Sequence, residues 1–261
     1  MEKVRRPAVA GLFYASDAQA LRAEVQGLLA AAKGEGSVPK AIIAPHAGYI
    51  YSGPVAASAY ARLMPARGKV SRVVLLGPAH RVGFRGIAAV ESSYFDTPLG
   101  RIPVDAEALA MIATLPQVRS FDEAHRQEHS LEVHLPFLQE VLGEFALIPL
   151  CVGDAQPKDV AEVLERLWGG PETLIVISSD LSHYHDYDTA RQRDAATSRA
   201  IEELRYENIG YDDACGRNPV SGLLYYARAH GRTMKAIDLR NSGDTAGSRE
   251  QVVGYGAYVL E

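Results

Sequence analysis

The chain has 261 residues, 47% of them hydrophobic and 23% charged, enough to bury a large core within one large domain or two small ones. A net charge of -5 without any basic stripe argues against nucleic acid as the main partner. No apolar run approaches the roughly 18 to 20 residues needed to cross a bilayer, and the start lacks the apolar core of a signal peptide, so no membrane association and a cytoplasmic location are expected.

Apolar runs rich in Val, Ile and Leu alternate with longer amphipathic stretches, the pattern of a mixed, mostly parallel sheet flanked by helices on both faces. In chain order the reading is helix 17–33, strand 39–45, helix 54–64, strands 70–76 and 86–91, helices 105–115 and 130–142, strand 145–151, helix 157–168, strand 172–178, helices 187–204 and 219–230, and strands 233–240 and 252–260. AAAKGEGSVP, residues 30–39, reads as a helix exit and loop, since about ten residues is ordinary for a connection. No internal repeat or low-complexity segment divides the chain, and a single α/β domain over residues 1–261 is the simplest account.

Three apolar strands deliver chemistry from their C-terminal ends. IIAPHAG places His46 after the first, RVVLLGPAH places His80 after the second, and TLIVISSDLSHYH places Asp180, His183 and His185 after the third. That is where open α/β sheets build their sites. Gly48 and Gly77 beside the first two histidines suit tight turns and close backbone approach. Ser179 reads as a helix N-cap, His183 as an acid or base, and His185 as a solvated residue beside Asp186 and Asp188. One histidine at a strand end is ordinary structure; several converging ones favour a site.

A further cluster, EHSLEVHLPFL, sets Glu128, His129, Glu132 and His134 before and within a helix whose Leu131, Leu135, Leu138 and Leu142 form an apolar stripe. It lacks the His-Glu-x-x-His zinc spacing, so His129, Glu132 and His134 read as pocket wall or outer support. Cys151 in LIPLCVGD reads as a core residue. Cys215 in DDACGRNP has no packing pattern to explain it, and no Cys-x-x-Cys pair occurs.

Taken together, RRPAVAGLFY, PHAGYIYSG, GPAHR, EHSLEVHLPFL, SSDLSHY, CGRNP and NSGDTAGSREQVVGYGAYVL resemble the Memo family, whose bacterial and archaeal members are also called AmmeMemoRadiSam system protein B. The blocks occur in the family's order over nearly the whole chain. The resemblance implies a fold like that of class III extradiol dioxygenases (LigB-like) and a mononuclear, non-haem iron or copper held by His46, His80 and Cys215. It places Asp180 and His183 in the same pocket, with His183 like the acid/base histidine of the dioxygenases.

Three functions follow as expectations. The first is a metal-dependent oxidoreductase of unknown substrate, although a thiolate ligand is softer than the carboxylate of oxygen-activating iron sites and is itself oxidisable. The second is a binding or scaffold protein for a small-molecule or peptide ligand, with Tyr49, Tyr51 and Tyr94 along a groove, or for the AMMECR-type and radical-SAM partners that the resemblance implies. The third is a zinc hydrolase with Asp180 as base, since zinc also suits a Cys-His-His set.

Overall fold

The apolar runs become strands buried on both faces in the computed structural model, which describes residues 3–261. Among these residues the strands are β1 (Val4–Arg5), β2 (Ala41–Ala44), β3 (Arg72–Pro78), β4 (Ile87–Ala89), β5 (Tyr94–Thr97), β6 (Gly100–Pro103), β7 (Val118–Ser120), β8 (Ala146–Val152), β9 (Thr173–Ser178), β10 (His183–His185), β11 (Met234–Asn241) and β12 (Val252–Leu260). The α-helices are α1 (Ala18–Ala31), α2 (Tyr49–Ala61), α3 (Ala106–Ile112), α4 (Glu123–Arg126), α5 (Leu135–Leu142), α6 (Pro157–Leu167), α7 (Tyr187–Glu202) and α8 (Arg217–Ala229).

The main sheet runs β10-β12-β2-β9-β3-β8-β4-β7, with β11 on β12. Its centre, β2-β9-β3-β8, is parallel, and antiparallel pairings at β12 and β4 close it on either side. Side chains alternate across the pleat. Val73 and Leu75 therefore join a core with α1, α2 and α5, while Val74 and Leu76 join a second core with α6 and α8. Such double coverage is why these strands are continuous apolar runs rather than alternating ones. A small sheet, β1-β5-β6, stands apart from the main one. No helix among the described residues is long and apolar enough to cross a membrane.

Three readings change. The helix expected over 54–64 begins five residues earlier, at Tyr49, and carries Pro54 inside it. The one expected over 130–142 is a 3-10 turn at Glu132–His134 followed by α5. Five short strands, β1, β5, β6, β7 and β10, have no counterpart in that reading because two to four residues hold too little periodicity to register.

Candidate metal centre

Because β2, β9 and β3 are parallel neighbours, their C-terminal ends open on the same edge of the sheet. Two residues past β2 stands His46, two past β3 stands His80, and two past β9 stands Asp180. The fourth member comes from elsewhere: Cys215 lies in the turn before α8. Asp180 N–H donates to Cys215 Sγ at 3.3 Å, and Gly216 N–H donates to Ser179 Oγ at 3.0 Å. Ser179 is thus a clamp on the Cys215 loop and not the helix cap its sequence suggested.

This docking depends on a missing side chain. A Cβ at Gly216 would lie 2.3 Å from the Ser178 carbonyl oxygen and 2.6 Å from Ser179 Cβ, too close for either to stay. Gly216→Ala is expected to lower stability by about 1–3 kcal/mol, the usual cost of overpacking a tight contact; an unchanged urea midpoint would show that the loop is held more loosely than its hydrogen bonds indicate. Gly77 is similarly constrained, since its Cβ would meet Leu131 and Ser130 side chains at 2.8 Å. Gly48 is not: its φ is -56°, and its nearest neighbour would be 3.6 Å away.

His46, His80 and Cys215 each offer a ligand atom, and these atoms lie within 4.8 Å of one another. His46 Nε2 is 3.3 Å from Cys215 Sγ, and the two imidazoles meet edge-on with centroids 5.1 Å apart. Each ring is held by its other nitrogen. His46 Nδ1 lies 2.5 Å from Ser178 Oγ, and His80 Nδ1 lies 2.9 Å from Glu128 Oε1. Outer partners of this kind aim an imidazole at a cation.

Glu128 is committed to that task. Oε1 also accepts the His129 and Ser130 N–H groups, and Oε2 accepts the His80 N–H at 2.6 Å. Burial works to raise its carboxyl, but the bonds and charge from His80 and the Ser130 N–H outweigh it and hold the group at about 2. Its carboxylate orients His80 and, with His80 and His129, offers ligand atoms that lie within 4.8 Å of one another, a second arrangement able to hold an ion. His129 stacks on the His80 ring with centroids 4.7 Å apart, against Phe13 on its other side. Burial lowers it to about 4, so it is a neutral wall of the cluster at physiological pH.

Asp180 accepts the His46 N–H at 2.7 Å through Oδ1, while Oδ2 lies 3.9 Å from His46 Nε2. Burial raises its carboxyl to about 6, against the pull of that hydrogen bond. Asp180, His183 and Cys215 form a further group whose ligand atoms fall within 4.8 Å, which brings His183 close to the thiol. Burial, reinforced by the Asp180 charge, also pushes the Cys215 thiol well above its ordinary value. Without a cation the sulfur is a thiol, and its S–H can donate to His46 Nε2.

The remaining residues separate. Glu132 was expected at the pocket, yet both of its oxygens are taken by the N-terminal segment: Arg5 pairs with it, the Ala8 and Val9 N–H groups donate at 2.8 and 3.0 Å, and Tyr14 O–H donates at 2.6 Å. Its role is to anchor that segment, because a buried carboxylate needs a full set of donors. His134 is buried behind the cluster, with Nε2 2.8 Å from Ser178 Oγ and Nδ1 2.7 Å from the Tyr60 hydroxyl. Of the three groove tyrosines, Tyr49 is buried and donates to the Val133 carbonyl, Tyr94 sits in β5 under Arg101, and Tyr51 is 40% exposed on the first turn of α2. Cys151 is buried in β8, and both cysteines are free.

Ser178 and Tyr60 were missed. Ser178 shares a face with Leu174 and Val176, two apolar residues of the same core. A serine at that period-2 position is a polar group aimed at a core, and that was the available signal.

Compared with known proteins, the chain matches a family model described as "Memo-like protein" over residues 5–259. A "MEMO1 family protein" of Thermotoga neapolitana is 37% identical to it over 280 residues, covering 98% of this chain and 99% of that one. Proteins with the same description from Aquifex aeolicus and Metallosphaera sedula are 37% and 33% identical, covering 97% and 96% of this chain and 97% of each relative. Among solved structures, an uncharacterized Escherichia coli K12 protein aligns over 82% of this chain and 98% of its own, with TM-score 0.49 and 13% identity.

Proposed function

The chain belongs to the Memo family, and from that premise we propose that it is a metal-dependent redox protein whose ion is held by His46, His80 and Cys215. The observation that carries this reading is the mutual distance of the three ligand atoms, all within 4.8 Å. Ligand atoms sharing one ion at about 2.0 to 2.3 Å lie about 3.5 Å apart. His46 Nε2 and Cys215 Sγ, at 3.3 Å, already stand at that spacing. The residues fit an ion in a second respect, since Ser178 and Glu128 occupy the outward nitrogens and leave the inward ones to bind.

The donor set favours particular ions. A thiolate with two imidazoles suits copper(I), zinc or iron better than hard oxygen-seeking cations. When bound, iron or copper would supply one-electron and Lewis-acid chemistry. The third donor is a thiolate and not the carboxylate of the two-histidine iron sites that activate oxygen, so the reading stops short of aromatic ring cleavage.

The chain's own residues provide the proton chemistry. Asp180, raised to about 6 by burial, titrates close to neutrality and can hold a proton on Oδ2, the oxygen turned towards His46 Nε2. His183 offers a ring nitrogen within 4.8 Å of the thiol and of an Asp180 oxygen, close enough to give or take a proton on a small molecule bound there. His129 and Phe13 wall the cluster on the His80 side.

The test is metal content. Wild-type protein purified without a tag or added metal, then reconstituted anaerobically with iron or copper, is expected to hold close to one ion per chain; His46→Ala and His80→Ala should each lose it. Wild-type protein that refuses iron, copper and zinc alike would end the metal reading and leave ligand or partner binding as the better account. Zinc uptake alone, with no redox-active ion accepted, would replace the redox reading with the hydrolytic one.

A further inference from the structure

Among the described residues, four tyrosines are buried in the core that the sheet shares with α1, α2 and α5: Tyr14, Tyr49, Tyr60 and Tyr255. Three of them find partners inside the protein. Tyr14 donates to Glu132, Tyr49 donates to the Val133 carbonyl, and Tyr60 is bonded to His134 Nδ1. Tyr255 is only 1% exposed, yet its hydroxyl has no hydrogen-bond partner among the described residues. A buried hydroxyl left unpaired costs stability, so a hydroxyl kept there asks for another use.

Strand register says where it stands. β12 runs antiparallel to β2 with Tyr258 opposite Ile43, and that register, continued three residues along each chain, brings Tyr255 level with His46. Tyr255 shares a face of the pleat with Ala257 and Val259, and across from them Ile42 and Ala44 lead on the same face to His46. The residue before it, Gly254, is tied to the other side of the site. Leu181 N–H donates to the Gly254 carbonyl, and Gly254 N–H donates to the Ser182 carbonyl, both at 2.8 Å. Leu181 and Ser182 are the two residues between Asp180 and His183, so Tyr255 is held between His46 and that loop. After burial itself, the charge that acts most on its hydroxyl is that of Asp180, followed by Tyr51 and Tyr184, both exposed at the surface. These are residues of the cleft, and the hydroxyl end of Tyr255 lies towards them.

We propose that Tyr255 is a ligand-binding residue, whose O–H donates to the electronegative atom of a small anion bound at the position that His46, His80 and Cys215 leave open. The role rests on the metal site proposed above. Three protein ligands leave such a position on an ion. Around it, Cys215 and Asp180 offer acceptors and the imidazole nitrogens would be taken by the ion, so a bound anion needs a donor. Tyr255 carries one that no protein group uses. Burial and the Asp180 charge keep that phenol un-ionised, so it donates throughout the physiological pH range. Ligands with an anionic oxygen or nitrogen, such as carboxylates, enolates or azide, are the class such a donor selects.

Azide is the probe, added to the chain loaded anaerobically with Co2+, whose absorption reports both the thiolate and the anion. Tyr255→Phe is expected to leave Co2+ uptake unchanged and to weaken azide binding about ten- to a hundredfold, the usual worth of a hydrogen bond to a charged group. In the metal-free chain the same variant should keep or raise the urea midpoint, because its hydroxyl has no protein partner to lose. Tyr14→Phe, which breaks a bond to Glu132, should lower that midpoint. Equal azide affinity in wild type and Tyr255→Phe overturns the role, as does a loaded chain that admits no azide. A midpoint lowered by Tyr255→Phe would show that the hydroxyl serves the fold, and overturns it too. A chain that takes up no Co2+ refutes the metal site, and the ligand role falls with it; a chain that takes up Co2+ but binds azide alike without the hydroxyl leaves the metal site standing.

Discussion

Zn2+ will bind the metal-free chain about tenfold more tightly for each unit of pH between about 6 and 8, releasing one proton per ion from Cys215. The cause lies in the thiol's surroundings. Burial and the neighbouring Asp180 carboxylate both oppose a thiolate, so at neutral pH the sulfur still carries its proton. An ion reverses that preference, because a coordinated thiol is deprotonated outright. One proton exchanged for one ion gives a logarithmic slope near one. His46 adds nothing to it, since burial holds it well below its ordinary value and it is already neutral.

Cys215→Ser should lose both features. A serine hydroxyl keeps the shape of the side chain but does not ionise in this range, so the slope should flatten. Affinity at about pH 8 should fall by more than about a hundredfold, beyond the 10- to 100-fold cost of losing an outer partner. Calorimetry in buffers of different ionisation enthalpy counts the protons. A count near zero for wild-type protein would remove Cys215 from the ligand set.

Acid will destabilise the metal-free chain steeply below about pH 6.5. Burial holds His125 and His129 at about 4, His134 at about 3, and His46 well below its ordinary value. In the unfolded chain all four titrate near 6.5. Between about pH 4 and 6.5 the unfolded state therefore binds more protons, and stability rises with pH. Asp180 works in the other direction. Its folded carboxyl, at about 6, lies above the ordinary 3.8, so its contribution is present at low pH and is lost as pH rises through 6.

Four imidazoles against one carboxyl leave a net excess of about three protons on the unfolded chain near pH 5, a slope of at most about 4 kcal/mol per pH unit. Urea midpoints at pH 7, 6 and 5 measure it. A midpoint that stayed level or rose on acidification would mean that these imidazoles are charged, or reached by water, in the folded chain. His134→Gln should reduce the slope by about one proton, because it removes one of the four buried imidazoles.

The site was legible in proportion to how local its signals are. His46, His80 and Asp180 each follow an apolar run, and a strand end is a feature of a few neighbouring residues. Glu132 shows the limit. In sequence it sits beside His129 and His134, but its partners are Arg5, Ala8, Val9 and Tyr14, between 118 and 127 positions away. A carboxylate beside two histidines invites a role in their site, and only the folded chain reveals that a distant segment has claimed it.

Helix limits fail for a related reason. A proline ordinarily belongs in a first turn, and the helix expected over 54–64 would have placed Pro54 there. The chain instead begins α2 at Tyr49 and leaves the carbonyl of Ile50, a residue 66% exposed, without its helical donor. A solvent-facing carbonyl costs little, and that exposure is a tertiary fact.

What the sequence determined by itself was the class of the fold and three of the positions where chemistry gathers. Runs such as Val73 to Leu76 are apolar on every residue, which demands cover on both faces of the sheet, and that demand needs no knowledge of partners. Only the tertiary structure decided that β9 lies between β2 and β3, that the Cys215 loop docks on Ser179 through a glycine, and that Ser178 faces two imidazoles at once. Hydrophobic periodicity is a property of neighbours along the chain, whereas strand order and hydrogen-bond partners are chosen among segments 37 to 132 residues apart in the pairs just named.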